Sequence, residues 1–131
     1  MGLFKLFKKK SISKEAILNE GMQIAMEFGE NWLQPIGQRL KSEFDHLSDS
    51  EAIEYDNLCR NARDEAHNFM LEALGKLADE HRTIMNQEFK LQFDSYINNY
   101  FDWMNKANIK KLYSQGMYYA YKEGLDATVI N

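Results

Sequence analysis

The sequence predicts an all-α protein: one up-and-down bundle of about four helices, the first kinked near Pro35. Three observations carry that expectation. Glycine and proline are scarce, with seven and one in 131 residues. Apolar residues recur at spacings of three and four, the period of a helix with one buried face. No segment reads as a convincing strand. The length suits one domain with one core, and 44% apolar residues is ordinary for a globular chain.

The first helix is expected after Ser13, a plausible N-cap with Glu15 in the first turn. Its stripe runs Ile17, Leu18, Met22, Ala25, Phe28, Trp32, Leu33, Ile36, Leu40, Phe44. Pro35 interrupts it, because proline removes an interior hydrogen bond and clashes with the preceding turn. Either the helix kinks near Trp32–Gln34, or it ends and restarts with Pro35 in its first turn. The kink is preferred, since the stripe keeps its phase across the proline. Gly21, Ala25 and Gly29 sit four residues apart, and each glycine within a helix costs about 1 kcal/mol relative to alanine. Close approach of a neighbouring backbone would offset that cost. Intramolecular packing is the leading expectation, a homodimer seam or a ligand slot the alternatives. Glu20, Glu27 and Glu30 exclude a lipid-facing helix.

Ser48-Asp49-Ser50-Glu51 is a capping box, with Leu47 and Ala52 placed as a hydrophobic staple. The helix it opens has the stripe Ala52, Tyr55, Leu58, Cys59, Ala62, Ala66, Phe69, Met70, Ala73, Leu74, Leu77, and periodicity resumes through Ile84, Phe89, Phe93, Tyr96, Ile97, Tyr100, Met104. A single helix from Asp49 to Met104 would be about 84 Å long, so a reversal is expected between Gly75 and Asn86. Asn105–Asn108 reads as a polar connection. A last helix from Ile109 ends near Gly124, a natural C′ residue. The predicted organisation is a basic amphipathic segment over residues 1–14, the bundle over 15–124 and an irregular tail over 125–131.

Charge is unevenly distributed. Residues 1–14 hold Lys5, Lys8, Lys9, Lys10 and Lys14 with no acid, whereas residues 43–80 hold eleven Asp/Glu against three Arg/Lys. From residue 15 onward, 11 basic side chains against 20 acidic ones give a net −9, which opposes the counterion release that drives nucleic-acid binding. No nucleic-acid partner is expected. The single Cys59 excludes an internal disulfide and fits a reducing compartment. No run approaches the roughly 18 apolar residues of a spanning helix. A secretory signal fails because Leu3–Phe7 precede the lysines, and Leu6 stands where N-myristoylation wants Ser or Thr. The expected location is the cytoplasm, with the inner face of a membrane as the alternative.

Chemistry-bearing patterns are sparse. A two-metal carboxylate bundle needs paired Glu-x-x-His units at one level. Glu43-x-x-His46 and the degraded Asp64-x-x-His67 lie tens of ångströms apart along the helices at 1.5 Å per residue, so no metal and no cofactor is expected. Asp64-Glu65-Ala66-His67 spells a helicase label without the phosphate-gripping loop that would give it meaning. Cys59 has no histidine three or four residues away and reads as an inert core thiol. No catalytic residue emerges, and an enzyme is not expected; a metal-carboxylate enzyme is the weakest of the alternatives.

Two functional expectations remain. The first is a non-catalytic interaction module, an adaptor, inhibitor or immunity-type protein. Glu51, Glu54, Asp56, Asp64 and Glu65 would meet a basic partner, and exposed aromatics would hold it. Ten of the seventeen aromatic residues fall between Phe89 and Tyr121. Phe89, Phe93, Tyr96 and Tyr100 form one stripe expected in the core, leaving Trp103, Tyr118 and Tyr119 as contact candidates. The second is weak membrane association, with Leu3, Phe4, Leu6 and Phe7 entering the interface and Lys5, Lys8, Lys9 and Lys10 near anionic headgroups.

Overall fold

Ser13 caps the first helix as its sequence requires: its Oγ accepts from the Ala16 N–H at 3.1 Å. In this computed structural model, which describes residues 13–27 and 35–131, the protein is all-α. The described helices are α1 (Lys14–Ala25), α2 (Ile36–Glu43), α3 (Asp49–Asp79), α4 (Asn86–Tyr100) and α5 (Lys106–Lys122). The chain divides into two compact units, one ending at Arg60 and one beginning at Asn61. The division falls within α3.

In the first unit, α1 stops at Ala25 with Met26 as C-cap, and Pro35 in extended backbone is the N-cap of α2. One continuous helix kinked near Pro35 is therefore corrected to two helices, and the described helices number five. Proline decides this locally, because the residue ahead of it disfavours helical backbone and its own ring suits a helix start. The kink interval itself, Trp32–Gln34, and Gly29 lie outside the described residues. Pro35 has no side-chain cap to offer, and Asp56 of α3 supplies one: its Oδ2 accepts from the Gly37 N–H at 3.2 Å.

Two glycines set the spacing in this unit. A Cβ on Gly21 would lie 2.6 Å from Cys59 Sγ, and one on Gly37 would lie 2.8 Å from the Ala52 carbonyl oxygen. Gly21 thus packs inside its own unit, which accounts for its helix cost. Around these contacts Met22, Leu40 and Cys59 are fully buried. Ser48 and Glu51 form the expected capping box, Glu51 N–H donating to Ser48 Oγ at 3.1 Å and Ser48 N–H to Glu51 Oε1 at 3.0 Å. Leu47 and Ala52 are both buried beside it. Leu58, expected in the stripe, is 42% exposed, because Tyr55, Cys59 and Ala62 already fill the inward arc of α3.

The second unit opens with the rest of α3, whose Ala62, Ala66, Met70 and Leu74 have no exposed surface. The helix ends in a Schellman turn. Arg82 N–H donates to the Leu77 carbonyl at 2.8 Å and His81 N–H to that of Ala78 at 3.1 Å, with His81 left-handed at φ 55°. The reversal falls in the predicted interval. Phe89, Phe93 and Ile97 of α4 and Leu112 and Ala120 of α5 complete the core. A Cβ on Gly116 would run into Met70 Sδ, so α5 approaches α3 at that point. A second Schellman turn closes α5, Leu125 N–H donating to Ala120 O at 2.8 Å with Gly124 at φ 75°.

The tail is ordered where irregular backbone was expected. A 3-10 turn over Asp126–Thr128 leads into Val129–Ile130 (β2), which pairs in parallel with Ile84–Met85 (β1), Ile84 against Val129 and Met85 against Ile130. Buried Ile84 and Thr128 anchor this short pairing. Tyr100, expected in the core, is 69% exposed at the last position of α4.

Candidate functional site

On α3, Ala66 and Met70 point into the core, so Phe69, on the flank of that arc, is only half-buried. The same logic places Tyr96 on the flank of α4 beside buried Phe93 and Ile97. The two flanking rings meet: Phe69 and Tyr96 stack with centroids 4.2 Å apart and planes 10° from parallel. Phe93 backs Phe69 at 6.4 Å. Toward the surface, Tyr96 touches Tyr100 at 5.0 Å and Phe101 at 6.2 Å, and Phe101 meets Trp103 at 6.3 Å. The aromatics form a ladder rising from the core to a largely exposed ring.

A groove of about 280 Å³ opens beside the stacked pair, lined by Glu65, Asn68, Phe69, Glu72 and Tyr96. Positions 65, 68, 69 and 72 are spaced three and four apart, which places them along one face of α3. The Tyr96 hydroxyl donates to the Glu65 carbonyl at 3.5 Å. Burial raises the pKa of that hydroxyl, and the charges of Glu65 and Glu72 together with Tyr100 raise it further. Both carboxylates therefore bear on the ring. Neither forms an ion pair among the described residues. Stacked π faces next to unpaired carboxylates favour a cation, which gains from the ring quadrupole and from direct charge attraction.

Of the residues expected from sequence to meet a partner, Glu65 stands in this groove and Trp103 at the far end of the ladder. The others are distributed elsewhere. Glu51 is engaged in the capping box, where hydrogen bonds from Ser48 hold its carboxyl below the usual range. Asp56 caps α2 and pairs with Arg60 Nε at 2.5 Å. Asp64 accepts from Arg63 Nε at 2.9 Å. Glu54 is an exposed carboxylate on α3. Tyr118 is exposed, with Lys122 Nζ 5.0 Å over its ring, and Tyr119 packs on His67 at 5.1 Å. Leu3, Phe4, Lys5, Leu6, Phe7, Lys8, Lys9 and Lys10 lie outside the described residues.

Phe69, Glu72, Tyr96 and Tyr100 were not among the sequence candidates. The signal for Phe69 and Glu72 is their spacing of four and seven from Glu65. The period of their stripe points both tyrosines to the core, which hides them as contact residues.

Among the described residues, no three His, Cys, Asp or Glu side chains converge as a metal-holding group. His46 is exposed, whereas His67 is buried. Desolvation, assisted by Arg63, lowers the His67 pKa to about 4. Cys59 donates to the Leu18 carbonyl at 3.4 Å, and burial pushes its thiol up to about 12, so it carries no thiolate near neutral pH. No described helix is long and apolar enough to cross a membrane. No protein-family model matches the chain, and no curated protein or solved structure shows significant similarity to it.

Proposed function

We propose that this chain is a non-catalytic protein-interaction module that takes a basic side chain of a partner protein in the groove between Glu65, Phe69, Glu72 and Tyr96. The supporting observation is the stacked Phe69–Tyr96 pair opening onto two carboxylates that have no ion partner among the described residues. Rings of this kind give large contact area at little entropic cost. Flanking carboxylates speed encounter with a positively charged surface. Unpaired carboxylates on a protein surface also serve solubility; what favours recognition is their convergence on half-buried rings. A buried cysteine thiol suits a reducing cytoplasm.

Affinity capture from the native host at low and high salt, with wild type beside Glu65→Lys/Glu72→Lys, tests the reading. The expected result is a partner protein retained at low salt, released at high salt and absent from the variant. Identical capture by both chains would overturn it.

A further inference from the structure

Between α4 and α5 lies a second, solvent-open cavity of about 340 Å³, lined by Lys90, Asp94, Asn98, Lys106, Ile109, Lys110 and Tyr113. That volume lies within the roughly 300–1,000 Å³ of small-molecule sites. Its construction follows from helix spacing. Lys90, Asp94 and Asn98 stand four apart along one face of α4, while Lys106 and Lys110 stand four apart on α5 with Ile109 and Tyr113 beside them. Ile109 and Tyr113 are buried and form an apolar floor. The Tyr113 hydroxyl is tied to Asn86 Oδ1 at 2.7 Å, which fixes the ring.

The charge in this cavity runs against the rest of the protein. In a chain of formal net charge −4, three ammonium groups here face one carboxylate. Lys90 and Asp94 have the spacing of a helical ion pair, yet Lys90 Nζ lies 5.7 Å over the Tyr113 ring instead. Elsewhere Arg39, Lys41, Arg60, Arg63 and Arg82 are each matched to a carboxylate. Among the described residues Lys90, Lys106 and Lys110 have no such match, as is also true of Lys14, Lys76, Lys111 and Lys122; what sets the three apart is that they line one concavity. Three like charges around one concavity repel one another, and a bound polyanion would relieve that repulsion.

We infer that this cavity binds a phosphate-bearing polyol, with Lys90, Lys106 and Lys110 holding the phosphates, Asp94 and Asn98 accepting hydroxyl hydrogens, and Tyr113 and Ile109 meeting the C–H face. Lysine binds phosphate as a mobile point charge. Asp94 selects against a bare polyphosphate, because a carboxylate at the cavity wall repels phosphate and favours a hydroxyl donor. The same headgroup chemistry occurs free in solution and at the surface of a phosphoinositide membrane.

Titration calorimetry on the full chain tests the site with inositol trisphosphate, inorganic pyrophosphate and unphosphorylated inositol. One inositol trisphosphate is expected per chain, with pyrophosphate at least about tenfold weaker and inositol silent. Lys106→Glu/Lys110→Glu changes exposed side chains, so the fold is retained, as circular dichroism will check. It should weaken inositol trisphosphate binding by more than about tenfold, or about 1.4 kcal/mol, while Lys111→Glu, outside the cavity lining, should leave it within about twofold. Co-sedimentation with phosphatidylcholine vesicles, with and without phosphatidylinositol bisphosphate, separates the two sources. Pelleting that needs the phosphoinositide and is lost in the double variant assigns the headgroup, and binding of the soluble probe alone assigns the free ligand. Absence of heat with inositol trisphosphate, equal affinity in the double variant, equal loss in Lys111→Glu, or equal affinity for pyrophosphate would each overturn the assignment.

Discussion

The two compact units close on different materials. In the first, backbone meets small groups: Gly21 faces Cys59 and Gly37 faces the Ala52 carbonyl, at separations that leave no room for a methyl. In the second, rings meet rings: Phe89, Phe93 and Tyr113 interlock, with Phe93–Tyr113 at 5.5 Å and Phe89–Tyr113 at 5.9 Å. Glycine contacts are complete within the core and leave nothing over. Rings are larger than the arc that a helix can bury, so Phe69, Tyr96 and Tyr100 continue outward from it. The candidate binding surface grows from the unit whose core is too wide to hide.

That contrast can be broken most forcefully at Phe93. Removing its ring in Phe93→Ala should cost about 4 kcal/mol. Amide exchange should rise in α4 and α5 by more than in α1 and α2; an equal rise in both units would show that they open together and dissolve the comparison.

The next effect is pH-dependent. The unfolded chain protonates His67 near the ordinary histidine value of 6.5, whereas burial and Arg63 lower it to about 4 in the folded protein. Between these values the unfolded state binds more protons, so stability falls as pH drops through that window. The His67 contribution is a loss on the order of 3 kcal/mol by about pH 4. Urea unfolding of wild type and His67→Gln across that range isolates it, since carboxylate protonation is common to both chains. Parallel pH profiles would refute it.

Gly37→Ala should destabilise by about 2 kcal/mol, because the new methyl meets backbone atoms of Ala52 that cannot rotate away. Gly116→Ala meets the flexible end of Met70 and should cost less. A reversed order in chemical denaturation would contradict the glycine half of the comparison. The smallest effect is a gain: His81→Gly relieves a left-handed β-carbon at a helix end and should stabilise by about 1 kcal/mol. A lowered thermal midpoint for this variant would exclude strain at His81.

Local signals carried much of the fold. Ser13, the Ser48–Glu51 box and Gly124 mark their helix ends with side chains or backbone freedom acting within a few residues, and all three are where the sequence places them. His81 takes the same role as Gly124 without a recognisable residue type, so its turn could be bracketed but not located. Pro35 misled because hydrophobic phase persists across a break whenever both helices face one core. Tyr100 and Leu58 misled because periodicity says which side of a helix is apolar but not how far the covering neighbour extends. The tail strand depends on Ile84 meeting Val129, a pairing with no trace in either dipeptide alone. The site was legible in its ingredients, acid on α3 and rings on α4. Their meeting depends on the register between two helices, which the His81 turn sets.

The Ile84–Val129 pairing also orders events during synthesis. The first unit ends at Arg60, so it can settle while the ribosome is still reading α4. The second unit cannot complete its β1–β2 pairing until Val129 and Ile130 have left the exit tunnel. Force measured on arrested nascent chains of increasing length should show two separate pulls, the later one appearing only once Val129 and Ile130 have emerged, and a single late pull would show that the units do not form in succession.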